Sequence, residues 1–391
     1  MGAHLKEALK KFYVRLGNKL LFKDLYSLNQ LALEMWGVMG YRGIDASILS
    51  RVVSGYRLFT PQQFDAFCTV LQLEKKEREH LEYALYLDNI ERYGISLPPF
   101  HQLDYGVLDL FDSLLKKARD YRSEGKNDDQ RSIAEIIEAY IEKLVRCVKK
   151  ENFRNKMLDQ LGMALVLKGN ALGGVWLPQT VVNEVMGIVR RLFEISKQIK
   201  NPRYEASGNI LLAYAYYVSG NYSSSSRFKS LYLHSINRAK RAYQVLPDNN
   251  AEKLFALRTL ATSTIYLRDK EDFLRIKKTA LDHLPKIPAD TYFLNGINLY
   301  NAIAEGAAIF QTSDPFKIKE MAFNHFKVTL EGRRIHEVSE TRSDLEMSLA
   351  LKTKDKSDLK VRVEKALQIA KEENYVRHYK NIKKLAQRAF G

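Results

Sequence analysis

Apolar residues recur at three- and four-residue intervals along almost the whole chain, the spacing that gives a helix one buried face. No stretch alternates β-branched with polar residues as a half-buried strand does, so the pattern predicts an all-α protein without a sheet. In the N-terminal part it predicts helices over 4–17, 24–37, 45–54, 60–72 and 75–92. Local chemistry punctuates them. Asp45 is placed to cap the third helix and Gly55 to end it, while Thr60 followed by Pro61 is an N-cap with proline in the first helical position. Periodicity then fails between Gly94 and His101, where Pro98 and Pro99 cannot continue a helix. These breaks divide the chain into an N-terminal domain over 1–93, a linker over 94–103 and a helical body over 104–391.

In the body the pattern predicts long amphipathic helices near 104–123, 128–150, 153–168 and 178–200. The stretch from Lys168 to Val175 holds three glycines but lacks a Gly-Lys-Ser/Thr ending and a preceding strand, so it reads as a turn and not as a phosphate cradle. From about residue 200 the chain repeats. One unit contains Ala213, Tyr216, a turn over Ser219 to Tyr222, Ala242 and Pro247; the next contains Leu260, Ala261, Ala280 and Pro285. The second unit places its small residues and proline at the offsets of the roughly 34-residue tetratricopeptide repeat, in which small residues let paired helices approach and proline stops the second helix. The first unit spans 29 residues from Ala213 to Ala242 where the second spans 19, and its second helix reads as lengthened through Ser223 to Ser226. Helix pairs continue over 290–311 with 315–332, then 335–351, and 358–373 with 375–389. A tetratricopeptide-like α-solenoid is the architecture this succession predicts.

Charge narrows the class of partner. The formal net charge over 391 residues is +16, which favours an acidic partner, nucleic acid first and an acidic lipid surface second. Both ends are basic: residues 1–72 carry nine Lys or Arg against five acids, and residues 351–391 carry twelve against five. Cys68 and Cys147 lie in predicted helices and read as inert core thiols, which fits a reducing compartment. No apolar signal region opens the chain, Lys6 stands where a myristoylation motif needs Ser or Thr, and the longest apolar run, Ile210 to Val218, is far shorter than a membrane span. The expectation is a cytoplasmic protein with no membrane partner. Eight histidines are scattered without metal-ligand spacing, and no Gly-x-Ser-x-Gly or His-Glu-x-x-His motif is present, so neither an enzyme nor a metal or other cofactor is expected.

The segment Ile44 to Arg57, followed by Thr60 to Leu71, resembles the second half of the lambda-repressor/Cro (Xre) class of helix-turn-helix domains, matching at Ser47, Leu49, Ser50, Arg51, Ser54, Gly55 and Arg57. Leu31 and Ala32 match that class in its second helix. The resemblance implies that Leu49 and Val52 pack the third helix on the bundle. It also implies that Ser47, Ser50 and Arg51 face a DNA groove, with Tyr56 and Arg57 at the helix end within reach of phosphate. Two features depart from the class: the connection from Trp36 to Gly43 is longer than the usual tight turn, and Val53 replaces a common glutamate. The order of domains resembles the peptide-responsive regulators of Gram-positive bacteria and their phages, the group of Rgg, PlcR, PrgX and the arbitrium receptors.

That resemblance implies a transcription regulator that binds an inverted-repeat operator in double-stranded DNA as a homodimer and takes a short signalling peptide in the concave groove of its repeats. The repeat phase places Tyr214 and Tyr217 in the groove, joined by Arg258 and Thr262, and the three-residue spacing of Asn295, Asn298 and Asn301 offers donors and acceptors to a peptide backbone. Two alternatives stand beside this reading. One is a DNA-binding regulator whose body serves only for oligomerisation or recruitment of a protein partner. The other is a repeat scaffold with a head that does not bind DNA.

Overall fold

The computed structural model describes residues 2–17, 19–23, 26–39, 46–59, 61–92, 106–175, 178–222, 227–247, 250, 252–286, 293–330, 333–353 and 355–391. The expected linker over 94–103 and the expected caps Asp45 and Thr60 lie outside them. Within them the chain is almost wholly helical, and no helix is long and apolar enough to cross a membrane.

The head opens with α1 (Ala3–Leu9) and a 3₁₀ turn over Lys10–Phe12. The helix expected over 4–17 ends there. The chain instead forms an antiparallel hairpin of β1 (Tyr13–Leu16) and β2 (Lys19–Phe22), with Tyr13 opposite Phe22 and Leu16 opposite Lys19. This corrects the expectation of no sheet. Gly17 takes a positive φ of 59°, which a glycine adopts without steric cost, and Phe22 anchors the hairpin edge-on against Phe67 with ring centroids 6.2 Å apart.

Four helices complete the head: α2 (Leu28–Val38), α3 (Ala46–Val53), α4 (Pro61–Val70) and α5 (Lys75–Arg92). A capping box starts α2, in which the Ser27 hydroxyl accepts from the Gln30 amide and the Gln30 side chain accepts from the Ser27 amide. Asp88 on α5 caps α1 from a distance in sequence, its two oxygens accepting the His4 and Leu5 amides at 3.0 and 2.7 Å. One core, including Leu5, Leu31, Leu49, Val52, Phe67 and Leu81, joins these elements. Cys68 is part of it, a free thiol that burial pushes up to about 12 and so keeps protonated.

The body comprises α6 (Gly106–Ser123), α7 (Asn127–Cys147), α8 (Glu151–Val175), α9 (Pro178–Ile199), α10 (Pro202–Tyr222), α11 (Phe228–Val245), α12 (Glu252–Leu267), α13 (Lys270–His283), α14 (Phe293–Phe310), α15 (Pro315–Leu330), α16 (Arg334–Leu351), α17 (Ser357–Glu372) and α18 (Val376–Phe390). Two expected turns prove helical. Lys168 to Val175 is the last part of α8, where Gly169 lets α10 approach: a Cβ there would stand 2.5 Å from a methyl of Leu211. Ser219 to Tyr222 ends α10, so the extra length of the first repeat unit is shared between α10 and α11, not confined to the second helix; Ser223 to Ser226 lie outside the described residues.

From α10 to α15 and again from α16 to α18 each helix packs on the next, and α10, α12, α14, α16 and α18 also pack in succession. Small residues permit this. A Cβ on Gly306 of α14 would fall 2.2 Å from the Phe273 ring of α13, a distance that real atoms do not occupy. The succession closes on itself. The last helix, α18, meets α8, and just before it the Tyr375 hydroxyl donates to the Gly125 carbonyl at the start of the body. Arg342 of α16 donates to the Tyr217 hydroxyl of α10 at 3.2 Å. Helices distant in sequence therefore face one another across the interior.

Candidate functional site

Two arrangements bring the residues singled out in the sequence together. In the head, Leu49, Val52 and Val53 turn into the core while Ser47, Ser50 and Arg51 are exposed, as the helical period requires for α3. Gly55, at φ 79°, ends the helix, and Tyr56 follows it with 80% of its surface exposed. Ser47, Arg51, Tyr56 and Arg57 line one cleft of about 600 Å3; Ser50 does not. The opposite wall of that cleft belongs to the body, from the start of α7 and the end of α17.

The second arrangement is in the body interior. Tyr214 and Tyr217 of α10, both buried, lie with ring centroids 6.0 Å apart. Arg258 of α12 places its guanidinium 5.5 Å from the centre of the Tyr214 ring. Arg377 of α18 approaches the same ring at 5.1 Å, and Arg342 reaches Tyr217. Three guanidiniums from three helices thus surround two tyrosines, at distances where cation–π attraction and charge-assisted hydrogen bonds act. Glu305 of α14 and Glu346 of α16 supply opposite charge to this cluster.

Titration behaviour reflects that crowding. Burial pushes Glu305 up to about 7, against the pull of Arg342 and with the help of Glu346. Burial and the neighbouring Arg377, Arg342 and Arg258 hold His378 well below the usual histidine range, so it is neutral at pH 7. Burial alone would raise the Tyr214 hydroxyl, yet the combined field of Arg377, Arg258 and Arg342 outweighs it and leaves the group lowered. Tyr266, whose hydroxyl is raised by burial and by Tyr217, still keeps 38% of its surface exposed. Tyr266 thus stands at the edge of the cluster, its ring 5.9 Å from that of Tyr217 and partly open to water. The arginines remain charged at any physiological pH, so among the described residues the cluster sets three fixed positive charges against Glu305 and Glu346.

A stability consequence follows for Glu305. An ordinary glutamate loses its proton near 4.5, whereas Glu305 in the folded protein keeps it until about 7. Between those values the folded state binds a proton that the unfolded state has released, so stability falls as pH rises through the window and levels off above it. Glu305→Gln is expected to flatten that decline and to stabilise the protein at pH 8 by up to about 3 kcal/mol, at roughly 1.4 kcal/mol per unit. Urea unfolding at pH 5, 6, 7 and 8 reads it. Parallel curves for the two proteins would remove the cause.

Other residues expected in the groove are placed differently. Thr262, buried, returns its hydroxyl to the Arg258 and Thr259 carbonyls of its own helix. Asn295 accepts from Arg122 of α6 at 3.4 Å, and Asn298 donates to the Leu294 carbonyl and accepts from Ser339 of α16. Asn301 is buried, with its amide nitrogen unpartnered among the described residues. Each step of three residues turns about 60° around the helix, so this run fans out across neighbours and does not form one row. The sequence reading missed Tyr266, Glu305, Arg342, Glu346, Arg377 and His378. A signal existed for two of them: Glu305 is the single charge in the apolar α14, and Arg342 interrupts the buried stripe of Val338 and Leu345 on α16.

Among the described residues, His4, Asp88 and Glu91 bring ligand-type atoms within 4.8 Å of one another. Both Asp88 oxygens are already engaged by backbone amides, so this group is the α1 cap with an attached His4–Glu91 pair at 3.0 Å. Comparison of the chain with protein-family models, with curated proteins and with solved structures finds no match.

Proposed function

We propose that the protein is a DNA-binding regulator whose helical body holds a small ligand with an anionic end, best matched by a short peptide with a free C-terminal carboxylate. The observation that carries the ligand half is the convergence of Arg258, Arg342 and Arg377 on Tyr214 and Tyr217, three guanidiniums against two carboxylates, Glu305 and Glu346, among the described residues. Arg377 is 96% buried, and its Nε is unpartnered among the described residues. Buried guanidinium N–H groups favour a planar oxyanion, which accepts two of them at once. The tyrosine rings and the alternate helices around them suit an extended chain behind that carboxylate.

The DNA half rests on the likeness of Ile44 to Arg57 to Xre helices and on the basic head. In this reading the body is tetratricopeptide-like and dimeric, and two heads address an inverted repeat with half-site centres about 34 Å apart. The ligand half is tested by thermal unfolding with short peptides encoded beside the protein's own gene, each made as free acid and as C-terminal amide. A ligand at about 100 times its Kd stabilises by roughly 2.7 kcal/mol. The free acid of a binding peptide is expected to raise the melting temperature and its amide to leave it unchanged. Equal stabilisation by both forms would show that the arginines do not hold a carboxylate.

A further inference from the structure

The cleft between head and body has two unlike walls. From the head come Ser47, Arg51, Tyr56 and Arg57, the face on which DNA contact was placed. From the body come Asp128 and Asp129 in the first turn of α7, and Glu372 and Glu373 at the end of α17. The body wall thus carries four carboxylates with two lysines, Lys126 and Lys371, and faces Arg51, Arg57 and Arg92 of the head, in a protein whose net charge is +16. Two of the four are engaged within the body, Glu373 with Arg334 at 2.9 Å and Glu372 with the same Arg334, while Asp129 pairs across to Arg92 at the end of the head's α5 at 3.1 Å. Asp128 differs. The positive charge of Arg131 on the same helix acts on it most, Asn374 hydrogen-bonds it, and Arg57 adds a smaller pull across the cleft. Burial, with the neighbouring Asp129 charge, nonetheless pushes its carboxyl up to about 7.

A helix that reads a major groove about 12 Å wide needs its face clear of protein over that span. A cleft of about 600 Å3 leaves no room for a duplex there. We infer that the arrangement is an autoinhibitory latch, in which the acidic wall around Asp128 occupies the contact face of α3 in place of DNA phosphate, so that the head must swing off the body before it can bind a duplex. The inference rests on the DNA-binding reading for its purpose, but the latch itself is a contact that can be observed without DNA.

The experiment compares the full-length protein with Asp128→Asn, which keeps the shape and removes the charge, and with Asn127→Asp, which adds a carboxylate to the same wall at a helix N-terminus where acids are well tolerated. Thermal unfolding confirms that each folds. Two quantities are read: deuterium uptake of residues 46–57, and affinity for a 30-base-pair duplex at fixed salt. Asp128→Asn is expected to raise uptake over 46–57 and tighten duplex binding by roughly two- to tenfold, the range for one partly screened charge pair. Asn127→Asp is expected to shift both the other way. Uptake unchanged in both variants overturns the latch whatever the DNA result. Altered uptake with unchanged affinity overturns the masking of DNA contact. Altered uptake with no duplex bound by any of the three proteins overturns the DNA-binding reading, and the masking role falls with it, while the latch contact stands.

Discussion

Arg377→Met is expected to make the ligand-free protein more stable and, in the same variant, to abolish its response to a free-acid peptide. The two effects have one cause. Arg377, Arg258 and Arg342 crowd around Tyr214 and Tyr217, and among the described residues their mutual repulsion is offset by Glu305 and Glu346. Replacing a buried charge by an apolar side chain of similar volume can stabilise by about 1–4 kcal/mol where that charge is in excess. Methionine gives up the cation–π attraction of Arg377 to Tyr214, worth about 0.5–2 kcal/mol, but keeps a favourable sulfur–aromatic contact. The electrostatic gain is the larger quantity. On the ligand side, truncating one partner of a buried charged pair costs about 2–5 kcal/mol, which is roughly thirtyfold in affinity or more. Chemical unfolding and calorimetric titration of the same preparation read both. A variant that is less stable yet binds the peptide as before would make Arg377 an anchor of α18 and not part of a ligand site.

Stability gained as binding is lost is the pattern expected where a fold keeps repulsion at a site because the ligand relieves it. The helices of the body were legible because their stripes are long, and those from α14 to α18 fall within a few residues of the periodicity. The hairpin was not. Leu5, Leu9, Phe12 and Leu16 continue a helical stripe, so the pattern ran straight through the point where the chain turns extended. The local signal against it was Gly17-Asn18 between two short runs rich in Leu, Val, Tyr and Phe, a hairpin connection that outweighs periodicity over so few residues. The opposite error came at Lys168 to Val175, where glycines that suggest a turn serve the approach of two helices.

The candidate site was legible only within single helices. Tyr214, Tyr217 and Arg258 sit in adjacent repeat units, so repeat phase could place them together. Arg377 lies 163 residues beyond Tyr214 and reaches it only because the helices close on themselves. Nothing in local spacing encodes that closure. The acidic wall opposite α3 was hidden for the same reason, since α7 and α17 meet the head in space and not in sequence.

The head makes the second large prediction. Arg51 is exposed on α3, one helical turn from Ser47 and on the side away from Leu49 and Val52, so its guanidinium can reach base edges once the head has swung off the body. Losing a base-edge contact costs about 1–3 kcal/mol, roughly six- to 150-fold, for the cognate site alone, whereas losing a phosphate contact weakens all sequences and lowers the salt slope by about one. Arg51→Ala is expected to do the first and Arg57→Ala the second. The most direct test of the whole account is therefore fluorescence anisotropy of the full-length protein against the DNA upstream of its own gene and against a scrambled duplex, each at several salt concentrations. The account predicts tighter binding to the upstream duplex, a linear fall of log affinity with log salt, and loss of the preference in Arg51→Ala. Equal and weak binding of both duplexes, unchanged in Arg51→Ala, would contradict it.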